Sequence, residues 1–141
     1  MSLYADIYPI TTFPDLVPQR EHRNSCILRL ERLEDAIRSY HGDELHHEWL
    51  NDYLDAGLEL AQEAGERDLI RLQESWLRRI YNTLRDTGVN VSCDEAWRHQ
   101  CLEYLYQPFF ALQHLYRAQP GSNSRIKALS RDFSFISRYV I

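Results

Sequence analysis

The densest group of metal-ligating and titratable side chains in the chain is HGDELHHEWL, residues 41–50, with three histidines and three acids in ten positions. Glu44 and His47 stand three apart. That is the spacing with which one helix of a carboxylate-bridged di-metal bundle offers a glutamate and a histidine to the ions. Such chemistry needs the motif twice, with further glutamates from two other helices. No second E-x-x-H occurs, and the nearest counterpart, Glu95 and His99, is spaced four apart. Glu44, His47, Glu95 and His99 are thus the residues a helical metalloprotein would use. A helix start explains the same run without an ion, because acids in a first turn complement the positive end of the helix dipole. At about 100° per residue, Leu45, Trp49, Tyr53, Ala56 and Leu60 share one face, with Glu44, Glu48, Asp52, Asp55 and Glu59 opposite. Glu44 then points to water, His47 lies on the flank, and His46 falls within the apolar arc as a hydrogen-bonded core histidine. The expectation is a helix N-terminus with no metal and no cofactor.

Other reactive groups are sparse. Cys26, Cys93 and Cys101 form no C-x-x-C pair and read as buried thiols in a reducing compartment. There is no glycine-rich phosphate loop, no G-x-S-x-G and no H-E-x-x-H, so no short catalytic signature is present.

A different chemistry is suggested by YLYQPFFALQHLY, residues 104–116, which crowds aromatic rings around Pro108. Rings distributed around a helix cannot all enter one core, and protein interfaces favour aromatics with arginine nearby. Tyr104, Tyr106, Phe109 and Phe110 are the expected anchors of a contact surface. The apolar arc of the helix after residue 43 is also broad, taking in Leu50, Leu54, Gly57, Leu58 and Ala61. Such a helix is either central in a bundle or presents Trp49 and Tyr53 to another chain.

The elements that must position these residues are helical. Cys26, Leu30, Leu33, Ile37 and Tyr40 make a narrow seam, with Ser25 as a cap and Gly42 as a left-handed stop. A second helix is expected over 43–64, ending at Gly65. A third is expected over 66–87, striped by Leu69, Leu72, Trp76, Ile80 and Leu84 and widened by Leu77 and Tyr81, with Arg67, Arg71, Arg78 and Arg85 on a solvated face. Ser92 and Glu95 form a capping box for a fourth helix, Pro108 breaks it, and helical structure resumes to Ala118. QPGSNS, residues 119–124, is a loop, and the last segment reads as helix with a short strand over FSFI as the alternative. Pro9, Pro14 and Pro18 punctuate residues 1–18, which are expected to form an extended arm across the helices. The apolar SRYVI is expected to be tied down.

Residues 53–88 contain AGLELAQEAGER (56–67) and, later, Tyr81. This stretch resembles the helix pairs of tetratricopeptide-type repeats, and the resemblance implies an antiparallel helical hairpin. It covers about a quarter of the chain, and no second copy follows at the period of roughly 34 residues.

The expected architecture is therefore all-α: one domain over 1–141, a compact antiparallel bundle of four to five helices with an extended, proline-punctuated arm. Net charge is −5, which does not favour nucleic acid. Lys127 is the only lysine, and arginine forks suit bidentate anion binding. The N-terminus lacks a basic start and a long apolar run, and no window reaches the roughly 18 apolar residues of a membrane span. A cytoplasmic, non-catalytic protein-binding module is expected: an adaptor, secretion chaperone, or inhibitor or immunity-type partner. Its partner would be another protein with a basic surface, or a second copy of the chain. A helical metalloprotein is the first alternative and a nucleic-acid regulator the second.

Overall fold

The computed structural model describes the backbone of residues 12–138 and the side chains of residues 18–138. Six helices follow one another: α1 Thr12–Ser39, α2 His47–Glu66, α3 Ile70–Gly88, α4 Glu95–Glu103, α5 Tyr106–Arg117 and α6 Asn123–Ser137. No strand occurs among the described residues. The bundle is all-α as expected, and 123–137 is helix rather than strand. Most of the expected arm, like the end of SRYVI, lies outside the described residues. Its last part is corrected: α1 has already begun at Thr12. Pro14 falls in the first turn, where an N–H has no helical partner to lose. Pro18 lies inside the helix and forgoes one backbone bond there.

Packing follows chain order. α2 lies between α1 and α3, α4 and α5 cover α3, and α6 closes on α5. Short connections make such neighbours antiparallel. The central position expected for α2 is observed, since Leu50, Tyr53, Leu54, Ala56, Leu60 and Ala61 are all buried.

Several helix boundaries differ from expectation: α2 starts at His47 instead of 43 and α3 at Ile70 instead of 66. α2 does not stop at Gly65. It closes one residue later through paired bonds, from Leu69 N–H to the Ala64 carbonyl at 2.9 Å and from Asp68 N–H to the Gly65 carbonyl at 3.0 Å. The left-handed residue that this closure requires is Asp68, at φ 59°. Gly42 adopts no positive φ, so α1 ends without it. Ser25 lies inside α1 and caps nothing. The capping box at 92–95 is also absent: Asp94 is the N-cap of α4, its carboxylate accepting from Ala96 N–H at 3.2 Å. An aspartate immediately before the first turn outcompetes a serine two residues further out.

α4 serves the ends of two other helices. The Trp97 indole N–H donates to the Ile37 carbonyl at 3.2 Å, and Arg98 Nε donates to the Gly88 carbonyl at 3.2 Å. Both carbonyls belong to the unpaired last turns of α1 and α3. Trp97 is fully buried and lies edge-on to Tyr40 at 5.0 Å and to Trp49 at 5.9 Å.

At the α2–α3 crossing, Gly57 permits the close approach. A Cβ there would meet Cγ2 of the fully buried Ile80 at 2.4 Å. Gly57→Ala is expected to cost about 1–2 kcal/mol net, overpacking outweighing the roughly 1 kcal/mol of helix propensity gained. Adding Ile80→Leu removes the branching methyl and should return about half of the loss. Urea denaturation of the two variants measures both.

Candidate functional site

Three tyrosines hold a polar framework around α3. The Tyr53 hydroxyl donates to Glu34 Oε2 at 2.6 Å, and Thr83 Oγ1 joins both, at 2.8 Å from Tyr53 and 3.2 Å from Glu34. Arg79 grips the same carboxylate with two nitrogens, Nε at 3.0 Å and Nη2 at 2.9 Å. In the second group Tyr81 donates to Asp132 at 2.6 Å, and Arg85 holds Asp132 through Nε at 3.1 Å and Nη2 at 2.9 Å. In the third, Tyr116 donates to Glu74 at 2.7 Å and receives Arg78 Nε at 3.1 Å. Burial pushes the Tyr53 and Tyr81 hydroxyls far above their ordinary range, and the neighbouring carboxylates add to the effect. Burial opposes ionisation of Glu34 and Asp132, yet hydrogen bonds from arginine and tyrosine hold both below the usual carboxylate range.

These groups correct the expected solvated arginine face. Arg78 and Arg85 are half-buried, Arg78 donating to the Tyr116 hydroxyl and Arg85 paired with Asp132, while Arg67 and Arg71 remain exposed. Bidentate carboxylate binding by arginine, expected toward a ligand, is realised within the fold. The engaged forks also withdraw positive charge from a nucleic-acid surface on α3.

The expected metal residues are not brought together. Glu44 precedes α2, which begins at His47, and is exposed. His47 Nδ1 lies 2.6 Å from Gln100 Nε2 and 3.4 Å from the Tyr104 hydroxyl. His99 lies 4.0 Å from Glu95, both partly open to solvent. Among the described residues no group of three or more histidine, cysteine, aspartate or glutamate side chains gathers as a metal ion requires. His46, the helix N-cap, stacks on Trp49 at 3.9 Å with 9° between the planes. The three thiols are buried and unpaired as expected. Burial, reinforced by Glu59, pushes Cys26 up to about 11, so none of this is a nucleophile's environment.

The expected contact residues divide. Tyr53 is wholly buried and Phe109 is 7% exposed, so both belong to the core. Phe109 stacks on Phe133 of α6 at 4.0 Å. Trp49 and Tyr104 are half-buried. Tyr106 and Phe110, at 49% and 56% exposure, present their rings outward, 6.5 Å apart on successive turns of α5. The break at Pro108 produces this split: α5 starts anew at Tyr106, placing Phe109 inward and its neighbour Phe110 about 100° away.

A groove of about 700 Å³ lies between α2, α3 and α5, lined by apolar Leu58, Leu77 and Leu115 and by polar Gln62, Glu66 and Gln73 among others. Tyr106, Phe110 and His114 recur every four residues along α5, and the last of them lines the groove with Ala111, Leu115 and Ala118. The sequence reading missed this groove. Its signal was the surplus of apolar residues near the α2–α3 turn, where Leu69, Ile70 and Leu72 remain substantially exposed. None of the described helices is long and apolar enough to cross a membrane. No protein-family model, curated protein or solved structure matches the chain.

Proposed function

We propose that the protein is a non-catalytic protein-binding module, an adaptor, chaperone or immunity-type partner, that receives an amphipathic helix of another polypeptide along the α2–α3–α5 groove. The observation that supports this reading is the pair of outward rings, Tyr106 and Phe110, on the helix whose following turns wall a groove of mixed apolar and polar lining. A groove of this kind takes alternate turns of a helix as anchors, and aromatic rings exclude water at its edge. The acidic row Glu48, Asp52, Asp55 and Glu59 on α2 is exposed and would speed encounter with a basic partner. Buried, unpaired thiols support a reducing, cytoplasmic setting.

Tyr106→Ser with Phe110→Ser tests the reading. Each ring is exposed, so stability should change by no more than about 0.5 kcal/mol per site. Proteins captured by the wild-type chain from its native lysate, read by mass spectrometry, should be lost by the double variant. Sedimentation distinguishes a second copy of the chain as the occupant. Undiminished capture by the double variant, with unchanged self-association, would overturn the assignment.

A further inference from the structure

At the start of α6 lies a second cleft, of about 860 Å³, lined by residues of α3, of the 118–122 connection and of α6. Its side chains offer an unusual surplus of donors. Arg71 is exposed and makes no ion pair with the described residues. Arg125 reaches Glu74 only at 3.5 Å. The Gln119 Nε2 atom is buried with no hydrogen-bond partner. Ser122, the N-cap of α6, is 5% exposed and makes no side-chain cap bond. Its hydroxyl finds no other partner among the described residues. Behind these groups, the first N–H groups of α6 have no helical acceptor, and no acidic residue occupies the first turn. Gly121, at φ 77°, turns the chain into the cleft, and a Cβ there would meet nothing within 4 Å.

One negative group is present. The Glu74 carboxylate lines the cleft, but it already accepts the Tyr116 hydroxyl at 2.7 Å and faces Arg125. Two guanidinium groups against one engaged carboxylate leave the cleft positive, in a chain whose net charge is −5. The buried Gln119 amide nitrogen, left without a partner, carries a desolvation cost of a kind that folded proteins seldom retain. A ligand with several acceptor oxygens removes that cost. A carboxylate has two oxygens and would leave donors unused, whereas a phosphate monoester brings three, matched to forks, hydroxyl and helix N-terminus together. The cleft is far larger than one oxyanion, so it also has room for what the phosphate is attached to.

We propose that the cleft formed by Arg71, Gln119, Ser122, Arg125 and the N-terminus of α6 is a binding site for a phosphate group, free or as a monoester. The cleft shares Ile70 and Gln119 with the α2–α3–α5 groove, whereas Arg71, Ser122 and Arg125 line the cleft alone.

The test is a titration of the full chain followed by backbone and side-chain amide NMR. The probes are inorganic phosphate, a phosphoserine tripeptide and its unphosphorylated counterpart, with sodium chloride at matched ionic strength as reference. Phosphate should shift the amides of Asn123, Ser124 and Arg125 together with the Gln119 side-chain amide. Arg71→Gln should weaken binding about ten-fold, as the loss of one charge-assisted contact does. Ser122→Ala, which leaves the charge unaltered, should weaken it by a smaller but measurable factor. Arg71 is exposed, so its variant should keep the wild-type melting temperature. Whichever phosphorylated probe binds more tightly identifies the source of the group. Two outcomes would overturn the proposal: no phosphate-specific shifts at these amides, or shifts that persist undiminished in both Arg71→Gln and Ser122→Ala.

Discussion

Trp97→Ala is expected to be the most damaging single substitution in the bundle, losing about 4 kcal/mol. The indole is fully enclosed, so its removal leaves a cavity among Tyr40, His46 and Trp49. The loss is compounded at the end of α1, where the Ile37 carbonyl forfeits its 3.2 Å donor. Trp97→Phe separates the two contributions. It keeps most of the ring volume but not the N–H, and should lose only about 1–2 kcal/mol. Chemical denaturation followed by far-UV circular dichroism reads both. Equal losses in the two variants would show that the hydrogen bond, rather than the ring, holds α4 to α1.

Glu34→Ala is expected to cost about 3 kcal/mol, lowering the melting temperature by roughly 10 °C. The Glu34 side chain is only 13% exposed and is the common acceptor for Tyr53, Thr83 and Arg79. Arg79, at 37% exposure, can turn toward water after the change, which keeps the loss at the lower end for a broken buried pair. Tyr53 cannot turn away, because it is wholly enclosed. The same carboxylate sets a pH dependence. Glu34 and Asp132 titrate below their ordinary values in the folded protein, so the unfolded chain binds protons first as the pH falls. Their stabilisation is complete above the ordinary carboxylate range and disappears as the pH drops through the folded values. Glu34→Gln should therefore flatten the acid side of the stability curve, from the ordinary carboxylate range downward. An unchanged slope would assign that dependence to other acids.

The apolar spacing in the sequence was enough to predict the buried faces of α1 and α2, though not their starts at Thr12 and His47. Cys26, Leu30 and Ile37 are buried as their four–three alternation required, and the arc from Leu50 to Ala61 is enclosed because a helix with so wide an apolar face needs neighbours on two sides. In α3 the expected face is buried over most of its length, at Leu77, Ile80, Tyr81 and Leu84, but Leu69 and Leu72 at its start are exposed and Thr83 and Thr87 join the core. Hydrophobicity alone could not reveal this, because the core side of α3 is partly polar: Thr83 is inside to serve Tyr53 and Glu34. Of the contact residues, periodicity could not separate Phe109 from Phe110. Which one turned inward depended on where the helix restarted after α4, and Leu105, at a helical φ of −65°, carries the chain into α5. The α6 cleft left no local mark in the sequence, since Arg71 and Ser122 are fifty-one positions apart and meet only through the packing of α6 near the start of α3.

The thiols give this bundle a built-in clock. Cys26 borders a cleft of about 500 Å³ between α1 and α2, its Sγ donating to the Ala56 carbonyl at 3.4 Å and to Glu59 at 3.1 Å, while Cys101 in α4 is wholly enclosed. An alkylating reagent can reach Cys101 only when that part of the molecule breathes. The labelling rate of Cys101, set against that of Cys26 in the same intact chain, would therefore time the lifting of the short helix from the bundle.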